Sequence, residues 1–328
     1  MGLTYNSTGT GALEKNLKIE RMTDDDKVIA LAGNPNVGKS TIFNGLTGLN
    51  QHTGNWPGKT VTNAQGKYKF KDRNFILVDI PGTYSLMANS VEEEVARDFI
   101  CFGNPDATVV VCDATLLERN LNLVLQTIEI TNNVIVCVNL LDEAKRKKIH
   151  IDLKKLSELL GVPVVGTSAR TGRGLDDFVK AVYDVTAGKI VPEPIKIEYD
   201  EEIEKAVSVL EPAVKKYVNG NLNSRWISLK LLDGDDTLLS SMEKYLNFNI
   251  SSNREILLKL EEAKELLGNN GITDNIFRDR IVSGIYSVAE RLAKQTVSFE
   301  NEKYNETDRK IDRILTSKIY GIPVMIAL

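Results

Sequence analysis

The sequence has few of the residues that build metal centres and disulfide frameworks. Among its 328 residues are three cysteines, Cys101, Cys112 and Cys137, and two histidines, His52 and His150. The cysteines are odd in number and have no CxxC spacing, and two of them lie in apolar runs typical of strands. We therefore expect reduced thiols inside a core, and the counts argue against a zinc site and a disulfide-stapled secreted fold.

An excess of positive charge and a long apolar run are missing too. The formal net charge is -4 and the pI is about 5.5, whereas general nucleic-acid binding usually needs a basic face. We expect no nucleic-acid partner. The final ten residues, 319–328, are mostly apolar, but a helix needs about 20 such residues to span a bilayer. With 42% hydrophobic and 26% charged residues, the chain has an ordinary globular composition and is long enough for two domains.

The strongest motif is an octapeptide with the phosphate-binding pattern GxxxxGK[ST], namely Gly33-Asn34-Pro35-Asn36-Val37-Gly38-Lys39-Ser40. An apolar run precedes it and a helix-compatible stretch follows from Thr41. The two glycines let successive backbone N–H groups point at one anion. Lys39 can reach the β and γ phosphates, and the Ser40 hydroxyl can bind Mg²⁺. We predict that Asn34 to Thr41 hold phosphates; the alternative is a glycine-rich turn with a surface lysine.

Short apolar runs alternate with helical periodicity between Val28 and about Gly188. The runs predict strands at Val28–Ala32, Lys67–Phe70, Phe75–Ile80, Thr108–Cys112, Val134–Val138 and Val162–Val165. Helices are predicted at about 40–47, 90–101, 116–131, 152–160 and 175–186. This alternation predicts an α/β fold with a mixed, mainly parallel six-stranded sheet. The short turn at 71–74 fits only a hairpin, so one edge strand should be antiparallel.

Three further motifs follow predicted strands, at the sheet edge where ligands bind to such folds. In Asp79-Ile80-Pro81-Gly82, Asp79 can hold a Mg²⁺-bound water and the Gly82 N–H can reach a γ-phosphate. In Asn139-Leu140-Leu141-Asp142, the carboxylate can accept from the two adjacent N–H donors that guanine presents. In Thr167-Ser168-Ala169, backbone N–H groups can meet guanine O6. Each could be an ordinary loop alone, but their order and spacing together predict guanine-nucleotide binding.

A polar segment, Leu49–Val61, separates the first helix from the hairpin and is predicted to be a loop. It contains Gly58, Lys59 and Thr60, which we interpret as candidate nucleotide contacts. Thr60 can complete the Mg²⁺ site when a γ-phosphate is present, as a switch residue does. The alternative is a connecting loop in which Trp56 folds back on the core.

These motifs together resemble a known family. The phosphate loop, the Thr60 loop, DxxG, NxxD and TSA follow the order of the small Ras-like GTPases. The exact sequences in and around the motifs point to a narrower family. They are Gly-Asn-Trp-Pro-Gly-Lys-Thr, Asp-Ile-Pro-Gly-Thr-Tyr-Ser-Leu, Asp113-Ala114-Thr115 and Leu117-Glu118-Arg119-Asn120-Leu121. With them, the chain resembles the cytoplasmic GTPase region of the bacterial ferrous iron transport protein B (FeoB) family, strongly over residues 28–190 and more weakly to the end.

The resemblance implies a GTPase that uses GTP, GDP and Mg²⁺ in iron transport. It places the chain at the cytoplasmic face of the bacterial inner membrane. The membrane-embedded remainder of the transporter and small accessory proteins of iron uptake would be its partners. Leu140 stands where GTPases commonly have lysine, so we expect modest nucleotide affinity. The metal ligands would be Ser40, Thr60 and Asp79, and the base would be read by Asn139, Asp142, Ser168 and Ala169.

The catalytic set is predicted to be Asn36, Lys39, Thr60 and Gly82, acting on a water that attacks the γ-phosphorus. Ras-like enzymes have a glutamine directly after DxxG, but here Thr83 takes that position, so we expect slow hydrolysis. GTPases with an asparagine at the Asn36 position, including members of the resembled family, can use it to hold K⁺ beside the phosphates. The alternative is that Asn36 only tolerates a tight backbone conformation.

The character of the sequence changes after Gly188. A stiff linker at Val191–Pro194 leads into helical patterns at about 201–218, 224–232, 235–247, 252–268 and 274–298. These predict a small helical domain, which in the resembled family influences how tightly GDP is held. The expected organisation is an N-terminal extension of low order at 1–26, a GTPase domain at 27–190, a helical regulatory domain at 191–298 and a juxtamembrane segment at 299–328. That last segment should enter a truncated transmembrane helix; the alternative is a terminal strand or helix docked on the core.

Two other functions stay open from the residues alone. A soluble Era-like ribosome-assembly GTPase shares the phosphate-loop wording, but it would need a basic RNA-binding domain, and residues 190–270 look acidic to neutral. A non-catalytic, nucleotide-gated interaction module would bind GTP without hydrolysing it.

Overall fold

The structure is a computed structural model that describes residues 19, 21, 23, 25–48, 51–56, 59, 61–218, 222–246 and 253–300. One sheet of seven strands dominates the first half. In spatial order its strands are β2 (Gln51–Asn55), β3 (Thr62–Phe70), β4 (Arg73–Asp79), β1 (Lys27–Gly33), β5 (Ala107–Asp113), β6 (Val134–Asn139) and β8 (Val164–Gly166). The five neighbouring strands β4, β1, β5, β6 and β8 are mutually parallel. β3 pairs antiparallel with β4 on one side and with β2 on the other. The mixed, mainly parallel sheet is confirmed.

The predicted number of six strands is wrong, because part of the predicted loop at 49–61 is a strand. β2 pairs with β3 from Gln51↔Gly66 to Asn55↔Thr62. Its sequence, Gln-His-Thr-Gly-Asn, has no apolar alternation, because an edge strand is held mainly by backbone hydrogen bonds to one neighbour. The sequence of β2 therefore has no hydrophobic pattern from which a strand could be predicted.

Helices cover both faces of the sheet, and each face has its own core. The helices of this half are α1 (Lys39–Thr47), α2 (Val91–Phe102), α3 (Leu117–Ile130), α4 (Leu141–Arg146), α5 (Leu153–Leu160) and α6 (Leu175–Thr186). Ile29 and Leu31 of β1 pack in the core that contains α1 and α6 residues. Val28 and Ala30 belong to the core that contains α2 and α3. Burial on both faces explains why the parallel strands read as continuous apolar runs.

The second half is helical, as predicted. Its helices are α7 (Glu201–Val218), α8 (Ser224–Asp233), α9 (Asp236–Leu246), α10 (Arg254–Asn269) and α11 (Asp274–Thr296). One face of α7 is buried at Ile203, Val207, Leu210 and Val214, whereas Tyr217 near its end is exposed. The Asn223 side chain accepts from Trp226 N and so caps α8.

A buried ion cluster joins the two halves. The Arg97 guanidinium on α2 is fully buried and donates to Asp98, to Asp235 between α8 and α9, and to the Thr237 hydroxyl. Asp98 in turn accepts from Ser241 of α9 at 2.6 Å. Such a fully partnered cluster fixes geometry, since removing one partner would strand a buried charge.

A second, two-stranded sheet was not predicted. β7 (Ile149–Ile151) pairs antiparallel with β9 (Val297–Phe299), which continues directly from α11. Two flanking bonds extend the pairing, from Asp152 N to Thr296 O and from Glu300 N to Lys148 O.

The ends of the chain are only partly described. Arg21, within the predicted extension at 1–26, pairs with Asp106 at 3.2 Å, while most of that extension and residues 301–328 lie outside the described residues. In the described ranges, no helix has both the length and the apolar character that crossing a membrane requires.

Candidate nucleotide-binding site

The octapeptide at 33–40 forms the turn between β1 and α1, and its glycines are required there. Gly38 has φ 89° and Asn36 has φ 65°. A Cβ on Gly38 would lie 2.3 Å from Asn139 Nδ2, and one on Gly33 would lie 2.5 Å from Val111 O. α1 then starts at Lys39 with no side-chain cap on its first N–H groups. Uncapped N–H groups at a helix start, in a glycine turn, suit an anion.

Lys39 and the DxxG segment meet at this turn. The Lys39 side chain is buried and donates to Gly33 O at 3.1 Å. Burial lowers the pKa of Lys39, and the nearby Asp79 carboxylate partly offsets the effect. A Cβ on Gly82 would lie 3.0 Å from Lys39 Nζ, so the Gly82 backbone lies directly beside the ammonium.

Asp79 has the chemistry of a cation site. It ends β4, half-buried, and its Oδ1 is buried and has no hydrogen-bond partner among the residues that the structure describes. Burial raises the pKa of Asp79 to about 6, against the opposing effect of Lys39. A bound divalent cation favours the ionised form. Together with the exposed Ser40 hydroxyl, this unpartnered oxygen fits Mg²⁺, which prefers hard oxygen ligands.

Asn139 connects the phosphate loop to the loop after β8. Its Nδ2 donates to Val37 O at 2.9 Å, and its Oδ1 accepts from the Thr167 hydroxyl at 2.9 Å and from Ala169 N at 3.0 Å. The side chain is 1% exposed. Asn139 thus uses its amide within the protein, and the Ala169 N–H predicted to meet guanine O6 donates to Asn139 here.

Asp142 stands beside this network with its carboxylate half-buried. Its backbone N–H donates to Ser168 Oγ at 3.1 Å, and Leu140 before it has φ 63°. The left-handed turn at Leu140 directs the chain into α4. The predicted base-reading residues Asn139, Asp142, Ser168 and Ala169 are therefore brought together.

The segment at 49–61 is partly described. Trp56 is 3% exposed and packs edge-on against Phe99 with ring centroids 5.3 Å apart, as the alternative for this segment predicted. Lys59 Nζ donates to Glu94 of α2 at 2.9 Å rather than to the phosphate loop. Gly58 and Thr60 lie outside the described residues.

The sequence did not reveal the role of Gln126, and for Thr167 it indicated only a contact through the backbone N–H. The Thr167 hydroxyl completes the Asn139 network, and Gln126 on α3 binds the chain just after DxxG. The available signal for Gln126 was its place in the helix between two core positions, Leu125 and Ile128.

The strand order, the glycine turn after β1 and the polar residues at the ends of β4, β6 and β8 define a Ras-like P-loop nucleotide-binding fold. Residues 27–182 match the family model described as ferrous iron transport protein B, and residues 199–298 match that of the FeoB cytosolic helical domain. The structure of a point mutant of S. thermophilus NFeoB bound to GDP is 34% identical, with a TM-score of 0.68 over 83% of this chain and 100% of that one. The chain belongs to the FeoB family.

Other similar proteins belong to the same family. The cytosolic domain of the T. maritima FeoB iron transporter, in its GMPPNP form, is 30% identical with a TM-score of 0.67 over 83% of this chain and 99% of that one. The Fe(2+) transporter FeoB of Methanocaldococcus jannaschii is 37% identical over 91% of this chain but 43% of its own length. An Fe(2+) transport protein A/FeoB fusion protein of Porphyromonas gingivalis is 34% identical over 91% and 35%. This chain thus spans about two-fifths of those transporters and corresponds to the part that structure titles call cytosolic.

Proposed function

We propose that this chain binds GTP and hydrolyses it slowly, as the regulatory module of a ferrous iron transporter. The observation that carries the proposal is the meeting of Lys39, Asp79 and Gly82 at one glycine turn. A buried ammonium, an unpartnered carboxylate oxygen and a backbone N–H are what a triphosphate with its cation needs.

The site has two ends: the phosphate end binds the phosphates and Mg²⁺, and the base end binds guanine. Gly33 to Thr41 hold the phosphates, and Ser40 and Asp79, with Thr60 in the triphosphate state, hold Mg²⁺. Asp142 accepts from the guanine edge, while Asn139, Ser168 and Ala169 fix its position. Gly58 and Lys59 complete the set on the Thr60 side. We also propose the bounds 27–190 for the GTPase domain and 191–298 for the helical regulatory domain.

Hydrolysis follows from positioning and charge. Water attacks the γ-phosphorus in line, the bond to the β–γ bridging oxygen breaks, and negative charge grows on the leaving diphosphate. Lys39 and the Gly82 N–H offset this charge. Mg²⁺, when bound, neutralises part of the same charge. Thr83 is 4% exposed and its hydroxyl is engaged with Ser85, so it does not orient the water, which supports a slow reaction.

Asn36 is the proposed K⁺ residue. Its side chain is exposed on the phosphate loop, where an amide oxygen can face a monovalent cation beside the phosphates. Its φ of 65° supports the backbone alternative equally, since asparagine tolerates this region.

The role in transport rests on the family. The module works at the cytoplasmic face of the bacterial inner membrane, with the membrane-embedded remainder of the transporter as its main partner. The fusion of transport protein A to FeoB in the P. gingivalis relative supports a small accessory partner. The Era-like alternative has no support, because residues 199–298 match the FeoB helical model instead of a basic RNA-binding domain.

Single-turnover hydrolysis with titrations of GTP, GDP and ATP tests the proposal. We expect slow release of phosphate from GTP and preference for guanine over adenine nucleotides. GTP binding without phosphate release would favour the non-catalytic module, and equal competition by ATP would refute base reading by Asp142.

A further inference from the structure

The five residues after DxxG, Thr83 to Met87, form a hydrogen-bonded turn, here called the post-DxxG turn. The Thr83 hydroxyl bonds both Ser85 N and Ser85 O, and Met87 N donates to Ser85 Oγ at 3.0 Å. The turn therefore holds its own shape. Where it lies relative to the phosphate loop depends on contacts to other elements.

Those contacts are unequal. On the side of β1, Ile80 N donates to Leu31 O at 3.2 Å and Thr83 N to Gly33 O at 3.4 Å, which is long for such a bond. On the other side, Gln126 of α3 accepts from Leu86 N at 2.7 Å and from Ser85 Oγ at 3.1 Å. Gln126 is 9% exposed, so its bond to the buried Leu86 N–H has no water to replace it.

The helical half lies behind this contact. Lys230 Nζ on α8 lies 3.4 Å from Met87 Sδ. A small cavity of about 30 Å³ lies between residues of the two halves, and its lining includes Leu86, Met87, Gln126, Trp226, Lys230 and Phe277. Gln126 thus stands where the post-DxxG turn, α3 and the helical half come together.

We propose that Gln126 is a positioning residue for GTP hydrolysis, holding the post-DxxG turn so that the Gly82 N–H stays at the γ-phosphate. This inference rests on the proposed GTPase function. Gly82 is four residues before Leu86, and its backbone lies beside Lys39 Nζ. GDP has no γ-phosphate, so losing the contact should weaken triphosphate binding and turnover while leaving GDP affinity unchanged.

The chemistry of the contact separates positioning from simple core packing. Both bonds use the Gln126 side-chain oxygen as acceptor. Gln126→Glu keeps an acceptor at the same length: Glu129 and Asp233 line the same cavity beside Lys230, so we expect the new carboxyl to stay protonated, and its carbonyl oxygen can still accept both bonds. Gln126→Met keeps the length and volume but has no comparable acceptor. The matched control is Thr127→Val, since the buried Thr127 hydroxyl bonds only Leu123 O within α3.

The test measures single-turnover GTP hydrolysis, together with the dissociation constants of GDP and GMPPNP, on the whole chain. We expect Gln126→Met to slow hydrolysis roughly tenfold and to weaken GMPPNP binding relative to GDP, whose affinity changes less than about twofold. Gln126→Glu should retain the rate within about threefold, and Thr127→Val should match the unmodified chain. If Gln126→Met does not fold, Ser85→Ala is the replacement; it removes one of the two bonds to Gln126 together with the Met87 N–Ser85 Oγ bond within the turn. It should slow hydrolysis about threefold and weaken GMPPNP binding more than GDP binding.

Three results overturn the inference. An unchanged rate in Gln126→Met, or in Ser85→Ala where that variant replaces it, refutes positioning while the GTPase function stands. Equal weakening of GDP and GMPPNP, without rescue by Gln126→Glu, shows a packing role only. Failure of the unmodified chain to bind or hydrolyse GTP refutes the proposed function and this inference together.

Discussion

The two ends of the candidate site differ in how far their polar groups are already satisfied. At the base end, the amide of Asn139 makes three bonds at 2.9–3.0 Å, to Val37, Thr167 and Ala169. At the phosphate end, Asp79 Oδ1 is buried with no hydrogen-bond partner, and Lys39 bonds only a backbone carbonyl among the described residues.

This difference indicates separate tasks. A fully bonded network keeps one arrangement, whereas unpartnered buried groups are costly until a ligand meets them. The base end should therefore contribute equally to GDP and GTP binding, and the phosphate end should decide between them. The predictions below test that division.

The largest effect is expected from Lys39→Ala, which removes the buried positive charge from the phosphate loop. Affinity for GTP should fall roughly a hundredfold, because charge-assisted bonds to phosphate have no substitute nearby. Isothermal titration measures it. Lys205→Ala is the control, since Lys205 pairs with the exposed Glu201 on α7 in the helical half and should change GTP affinity less than about twofold. Near-normal GTP binding by Lys39→Ala would overturn the phosphate-loop assignment.

Asp142→Ala should reduce the preference for guanine over adenine nucleotides by about 2–3 kcal/mol, the range for a charge-assisted pair of hydrogen bonds. Competition of ATP against labelled GDP measures the preference. Glu143→Ala is the neighbouring control, because Glu143 pairs with Arg146 on the surface. If Asp142→Ala lost the preference for guanine only among triphosphates, the proposed division between the two ends of the site would be contradicted.

Replacing Na⁺ by K⁺ at constant ionic strength should raise GTP turnover several-fold if Asn36 holds the ion. Asn36→Ala should abolish the rise and leave GDP binding largely intact. Asn36→Gly sharpens the test, since glycine adopts φ 65° without strain but has no amide oxygen. A K⁺ response that survives in Asn36→Gly would assign Asn36 to the backbone role alone.

The smallest effect is expected from Thr167→Val, which removes one of the three bonds to Asn139. GDP and GTP should both bind about threefold more weakly, as for one neutral hydrogen bond. Stopped-flow release of a fluorescent nucleotide measures this. Thr186→Val is the control, because the Thr186 hydroxyl bonds only carbonyls of α6. If Thr167→Val weakened GTP binding but not GDP binding, Thr167 would act at the phosphate end, against this prediction.

The sequence predicted features that depend on local chemistry. Glycines at turns, apolar runs typical of strands and polar residues at the ends of those runs can be recognised in the sequence, so the mainly parallel sheet and the order of the four motifs along the chain could be predicted. β2 was not readable, because a polar edge strand depends on its partner's backbone. Gln126 and Thr167 act across 40 and 28 residues of sequence, and such contacts leave no spacing pattern.

The small sheet of β7 and β9 has a mechanical consequence. β9 is the last described strand, and β7 begins three residues after α4, the helix that carries Asp142. In an antiparallel pair the backbone bonds run perpendicular to the strands. Glu300 and Lys148 lie at the same end of this pair, so a pull that separates Glu300 from Lys148 would open the bonds one after another, from Glu300 N–Lys148 O to Asp152 N–Thr296 O. The first bond to open belongs to Lys148, two residues after the helix that carries Asp142, so the end of the pair that opens first is the end next to the base side of the site in the chain.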